Sequence, residues 1–202
     1  MALRLLPFRQ YDEQDVVNLY AQGDAALESA TGDGKGSNGV FVKVSNGDFN
    51  QETIEYGVNS YLGNEAYPHV GAGMYPSNPL TVAATVSGEF PIGLTLNQTA
   101  KADENGEKLL YNTTKKEELQ AVLPGQTVPV ATKGIFTLSA AATGGNPLTL
   151  GGGFEAQADG KVGGCSAGFS GSLGTVIGTG SRTSNGSVTD QFEGDYFIVK
   201  LG

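Results

Sequence analysis

Few side chains in this 202-residue chain could do chemistry, and their spacing limits what that chemistry could be. The one histidine, His69, stands in Tyr67-Pro68-His69-Val70-Gly71, and any Ser-His-Asp relay would have to be built on it. Gly164-Cys165-Ser166-Ala167-Gly168 spells Gly-x-Ser-x-Gly, but no helix is predicted after it, so the strand-to-helix nucleophile elbow is not expected. Gly168-Phe169-Ser170-Gly171 and Gly171-Ser172-Leu173-Gly174 reproduce only parts of one. A single histidine and a single cysteine, Cys165, fall far short of a tetrahedral zinc set. Cys165 has no internal disulfide partner and reads as a small buried hydrophobe. Oxygen-bearing side chains suited to Ca²⁺ recur at Asp103, Asn105 and Glu107 and again at Asp190, Glu193 and Asp195, but without EF-hand spacing. The first group reads as a solvated turn rich in Asx chemistry. Gly151-Gly152-Gly153 and Gly178-Thr179-Gly180 lack the lysine and the helix of a phosphate loop.

Two carboxylates for glycoside hydrolysis can be brought together by any fold. With no tryptophan, however, a sugar cleft lacks its best stacking residue. Catalytic, cofactor-binding and metal-ligating residues are therefore all expected to be absent, and the chain reads as non-enzymatic. A net charge of −9 disfavours nucleic acid, whose phosphates require a basic footprint. No window approaches the roughly eighteen apolar residues of a membrane helix. The three Asn-x-Ser/Thr sequons, at Asn97, Asn112 and Asn185, read as chance occurrences.

Charge and hydropathy divide unevenly along the chain. The first eleven residues carry Leu3, Leu5, Leu6, Phe8 and Tyr11 together with Arg4 and Arg9, and no acid. From Asp12 onward, 10 Lys and Arg face 21 Asp and Glu. Arg4, Pro7 and Arg9 break the apolar run that a secretory signal would need. Two readings of this arm stay open: a terminal strand folded onto the protein's own core, or a docking element for another subunit.

The elements that would hold these residues are mostly strands. Glycine is about twice as frequent as the usual ~7%, with 31 residues, and glycine inside a helix costs about 1 kcal/mol against alanine. Val40, Val42 and Val44 alternate before an Asn46-Gly47 turn. Leu80 to Val86 and Phe90 to Leu96 alternate on either side of Ser87-Gly88, and Asp103–Glu107 turns the chain into Leu109-Leu110-Tyr111. Val128-Val130 and Ile135–Leu138 form a further pair around Lys133-Gly134. Tyr196 to Leu201, nearly all apolar, reads as a strand buried on both faces. A short helix is predicted from an Asp12 cap through Val16, Val17 and Tyr20 to a stop at Gly23. Between Gly144 and Gly180, 13 of 37 residues are glycine, which predicts short strands with tight bends.

The expected fold is all-β, a small barrel or sandwich-like domain with an extended N-terminal arm and one short helix. Its expected divisions are the arm and helix at 1–23, a flexible Gly-rich linker at 24–39 and a β-rich body at 40–202. The body has two potential subdomains, 40–138 and 139–202.

Several phrases carry a resemblance. Ala2-Leu3-Arg4-Leu5-Leu6-Pro7-Phe8-Arg9-Gln10-Tyr11 with Asp15-Val16-Val17-Asn18-Leu19-Tyr20 resembles the opening of virion structural proteins of tailed phages, especially marine and cyanobacterial ones. Gly93-Leu94-Thr95-Leu96 with Asp103 to Tyr111, Val122 to Ala131, and Phe192 to Leu201 are similar to the same group. The resemblance implies a capsid decoration, or cement, protein that sits on the outer face of the shell and holds neighbouring capsid subunits together. Its implied partners are the major capsid protein and copies of itself, a trimer among the options, with no nucleic acid and no membrane. It implies a place on the virion exterior after assembly in the bacterial host cytoplasm. The arm residues Leu3, Arg4, Leu5, Leu6, Phe8, Arg9 and Tyr11 are the expected capsid contacts. The alternatives are a tail, neck or fibre component, or a carbohydrate-binding module for host attachment.

Overall fold

Runs of β-branched residues interrupted by glycine leave little for a helix to use, and the chain folds accordingly. The computed structural model describes residues 4–21, 38–46, 80–100, 102–103, 105–123, 126–165, 171–183 and 193–202. Leu3, His69, Gly47, Asn185, Asp190 and all but the last two residues of the expected linker lie outside them.

The strands in chain order are β1 (Leu5–Gln10), β2 (Val16–Ala21), β3 (Phe41–Asn46), β4 (Leu80–Ala84), β5 (Gly93–Thr95) and β6 (Gln98–Thr99). A helix, α1 (Thr113–Glu118), precedes β7 (Ala121–Val122), β8 (Thr127–Ala131), β9 (Gly134–Ser139) and β10 (Gly153–Gln157). The run closes with β11 (Lys161–Gly164), β12 (Gly174–Arg182) and β13 (Gly194–Leu201). The fold is all-β. Strands β2-β4-β3-β5-β8 close a barrel, β1-β9-β13-β12-β10-β11 form a six-stranded antiparallel sheet, and β6 with β7 makes a small parallel pair.

Two cores meet at β3. Its even-numbered side sends Val42 into the barrel, where it joins Leu19, Val82, Val128 and Val130. Phe41 points the other way, to Phe136, Phe154, Val176 and Val199 of the sheet. The rings of Phe41 and Phe154 meet edge to face, with centroids 6.1 Å apart. Leu94 and Ala131 of the barrel strands belong to the same cluster. Residues on both sides of the expected 138/139 boundary therefore share one core, so those two stretches are not separately packed. Ala100, Leu109, Ala121 and Leu123 make a third, smaller cluster.

Three local expectations are corrected. Asp12 does cap a turn, its Oδ1 accepting from the Gln14 N–H at 3.0 Å, but the turn is a single 3-10 turn over Glu13–Asp15. The chain then extends as β2, because Val16-Val17 favour a pleat and the alternation of Leu19 and Ala21 buries one side of it. The one α-helix among the described residues is α1, whose Asn112 cap accepts from the Lys115 N–H. Leu109-Leu110-Tyr111 is a turn, not a strand. Finally, β13 is buried on one face only: Val199 and Leu201 point to the core, while Tyr196 and Ile198 remain partly exposed.

Candidate docking groove

The arm is a strand of the protein's own sheet. β1 pairs antiparallel with β9, Leu5 opposite Leu138 and Gln10 opposite Ile135, with an irregularity between Leu5 and Arg9. Leu5 is 1% exposed and Leu6 is also buried, so both are largely enclosed by the protein's own fold. Arg4 is also engaged: its Nη1 donates to the Asp159 carbonyl at 2.8 Å, and burial pulls its guanidinium below the ordinary value while the Asp159 charge acts against that shift. Of the seven residues expected to contact a capsid, six are described, and three of those serve the protein's own packing. Phe8, Arg9 and Tyr11 keep a presence at the surface, with Phe8 58% exposed.

Both edges of the six-stranded sheet oppose further strand addition. On β1, Pro7 removes an N–H and the irregular register bends the strand. On β11, the 143–147 segment covers the edge: the Gly144 N–H donates to the Val162 carbonyl and the Gly164 N–H to the Asn146 carbonyl, each at 2.8 Å. This cover explains two glycines, since a Cβ on Gly163 or Gly164 would lie 2.3 or 2.4 Å from a backbone oxygen of that segment. With both edges closed to strand addition, the exposed face is the surface the sheet leaves open.

That face carries an apolar groove of about 390 Å³. Leu6, Pro7 and Phe8 form one wall, and Tyr196 and Ile198 of β13 another, with Arg182 at the end of β12. The wall on β13 depends on the Gly178-Thr179-Gly180 triplet. Gly178 pairs with Ile198 and Gly180 with Tyr196, and a Cβ on Gly180 would come within 2.5 Å of the tyrosine ring. With no side chains there, Ile198 and Tyr196 lie across β12. The triplet is thus packing geometry. Thr137, which pairs with Ile198 from β9, also lines the groove, and its buried Oγ1 has no hydrogen-bond partner.

Among the described residues, those singled out for chemistry do not converge. Asp103 is buried, and its Oδ1 accepts from the N–H groups of Asn105 and Glu107 at 2.9 and 2.8 Å, so this carboxylate pins the turn. Cys165 lies 3.7 Å from Glu155 Oε2, and burial, with the nearby carboxylate, pushes the thiol pKa up. Among the described residues, no three His, Cys, Asp or Glu side chains are grouped to hold a metal ion. No helix among them is long and apolar enough to cross a membrane. The groove was hidden in the sequence because Leu6, Thr137 and Ile198 come from strands distant along the chain. The one available signal was glycine at alternate positions opposite an aromatic strand.

No family model, curated protein or solved structure matches the chain.

Proposed function

We propose that this protein is a non-enzymatic decoration, or cement, protein of a tailed-phage capsid, docking on the outer face of the shell and bridging neighbouring capsid subunits. The observation that carries the reading is the apolar groove, in which an exposed Phe8 stands beside Ile198 and Tyr196 on an otherwise acidic molecule. Apolar surface gathered in one place on a rigid sheet marks an interaction site, and aromatic anchors at such sites carry much of the binding energy. The resemblance of the N-terminal phrase to phage virion proteins supplies the partner's class. In this reading the arm docks as a folded strand: Leu5 and Leu6 hold it in place, and Phe8 meets the capsid.

The test is co-sedimentation with undecorated mature shells, comparing the native chain with Phe8→Asp and Ile198→Asp. Saturable binding at many copies per shell, lost in both variants with the folded state retained, is the expected result. Equal binding by all three would move the interface off the groove. Absence of binding by the native chain would overturn the capsid assignment in favour of the tail, neck or fibre.

A further inference from the structure

A second concavity, polar and about 1050 Å³, lies where the end of β1, β2 and the β5–β6 connection face the segment around α1. It shares no residue with the apolar groove. Four carboxamides line it; Gln126 Oε1 already accepts from the Leu123 N–H, and the other three come from three places: Asn18 on β2, Asn97 between β5 and β6, and Gln120 just beyond α1. None of these three side chains makes a hydrogen bond to another described residue. Each amide offers both donors and an acceptor, the combination that an array of sugar hydroxyls also presents.

Gln120 is held at φ 49°, in the left-handed region. After a helix, that conformation usually belongs to glycine or asparagine, because a Cβ is disfavoured there. A long polar side chain is therefore kept at a position where the backbone alone would favour glycine, and it faces the cleft.

The charges around the cleft select against ions. Arg9 and Lys116 are matched by Glu13 and Glu117, and these four make no ion pairs among themselves. A polyanion would meet two carboxylates, and a polycation two cations. Tyr11 supplies a flat wall: its ring stacks on Phe136 at 5.9 Å and 21°, which fixes its orientation, and the residue stays 40% exposed. We infer that this cleft binds a neutral oligosaccharide, with Tyr11 as the stacking platform and Asn18, Asn97 and Gln120 reading the hydroxyls. The site rests on no part of the capsid reading and would serve attachment to a glycan-bearing surface.

The test is an NMR titration of isotope-labelled full-length protein with maltohexaose, cellohexaose and N-acetylchitohexaose, alongside a hyaluronan hexasaccharide and hexaglycine. At least one neutral sugar is expected to shift the signals of Asn18, Asn97 and Gln120 at or below about 5 mM, the weak end of specific affinity. Gln120→Gly relieves the left-handed backbone, so Tm should hold or rise while affinity falls about fivefold, the equivalent of one lost hydrogen bond. Asn97→Ala should weaken binding similarly. The inference is overturned if no neutral sugar shifts these signals, if shifts come only from hyaluronan or the peptide, or if Gln120→Gly binds as the native chain does.

Discussion

At the residue scale, neighbouring side chains in β1 have opposite duties. Leu5 is enclosed by the sheet core, so Leu5→Ala should cost about 3 kcal/mol through lost burial and a residual cavity. Phe8 projects from the same strand, and Phe8→Ala should change stability by no more than about 0.5 kcal/mol. Urea unfolding of the two variants tests this directly; equal losses would mean that Phe8 is also part of the packing. The arm's apolar and basic composition was legible in sequence, but its partner was not, because Leu5 suits the protein's own sheet as well as a foreign one. Cys165 gives a second residue-scale test. Its thiol pKa is raised by burial and then by Glu155, so less thiolate is present at pH 8 than in a free cysteine. Alkylation by iodoacetamide should be slower than for N-acetylcysteine at that pH, and Glu155→Gln, which removes the neighbouring charge, should speed it.

At the element scale, β12 shows that glycines in one strand do different jobs. A Cβ on Gly174 would sit 1.9 Å from the Lys200 carbonyl oxygen, a backbone atom of the paired strand. Gly174→Ala must therefore separate β12 from β13 and should cost about 3 kcal/mol. On Gly180 the added carbon meets only the far end of Tyr196, which can swing away, so Gly180→Ala should stay within about 0.5 kcal/mol while altering the groove. Thermal unfolding of both separates the cases; matched losses would show that Tyr196 cannot move. The strands β8, β9 and β13 were readable from their apolar runs, although the single buried face of β13 was not. The β2 segment misled because Asp12 is a real cap, yet it caps one turn only, and the following Val16-Val17 extends the chain. The helix α1 was silent because its sequence, Thr-Thr-Lys-Lys-Glu-Glu, has no apolar stripe to announce it.

At the scale of the whole molecule, β3 joins two cores that sequence alone would leave separate. The alternation at residues 40–44 predicts one buried side. It does not reveal that Phe41, on the other side, enters a second core built largely from residues after 134. Leu94 and Phe41, from the expected 40–138 stretch, are packed with Phe154 and Val176 from 139–202. The glycine-rich stretch from Gly144 to Gly180, which composition predicted as short strands with tight bends, supplies Phe154, Val162 and Val176 to the centre of that core. Shared packing of this kind couples unfolding, because losing either sheet exposes the apolar side of the other. The protein should unfold in urea in a single transition, coincident by far-UV circular dichroism and by tyrosine fluorescence. Leu94→Ala, a change in the barrel, should weaken amide protection in β13 as strongly as in β5, lowering global stability by about 3 kcal/mol. If β13 instead kept its protection while β5 lost its own, the two sheets would be independent units, and Phe41 would be a contact between them without energetic consequence.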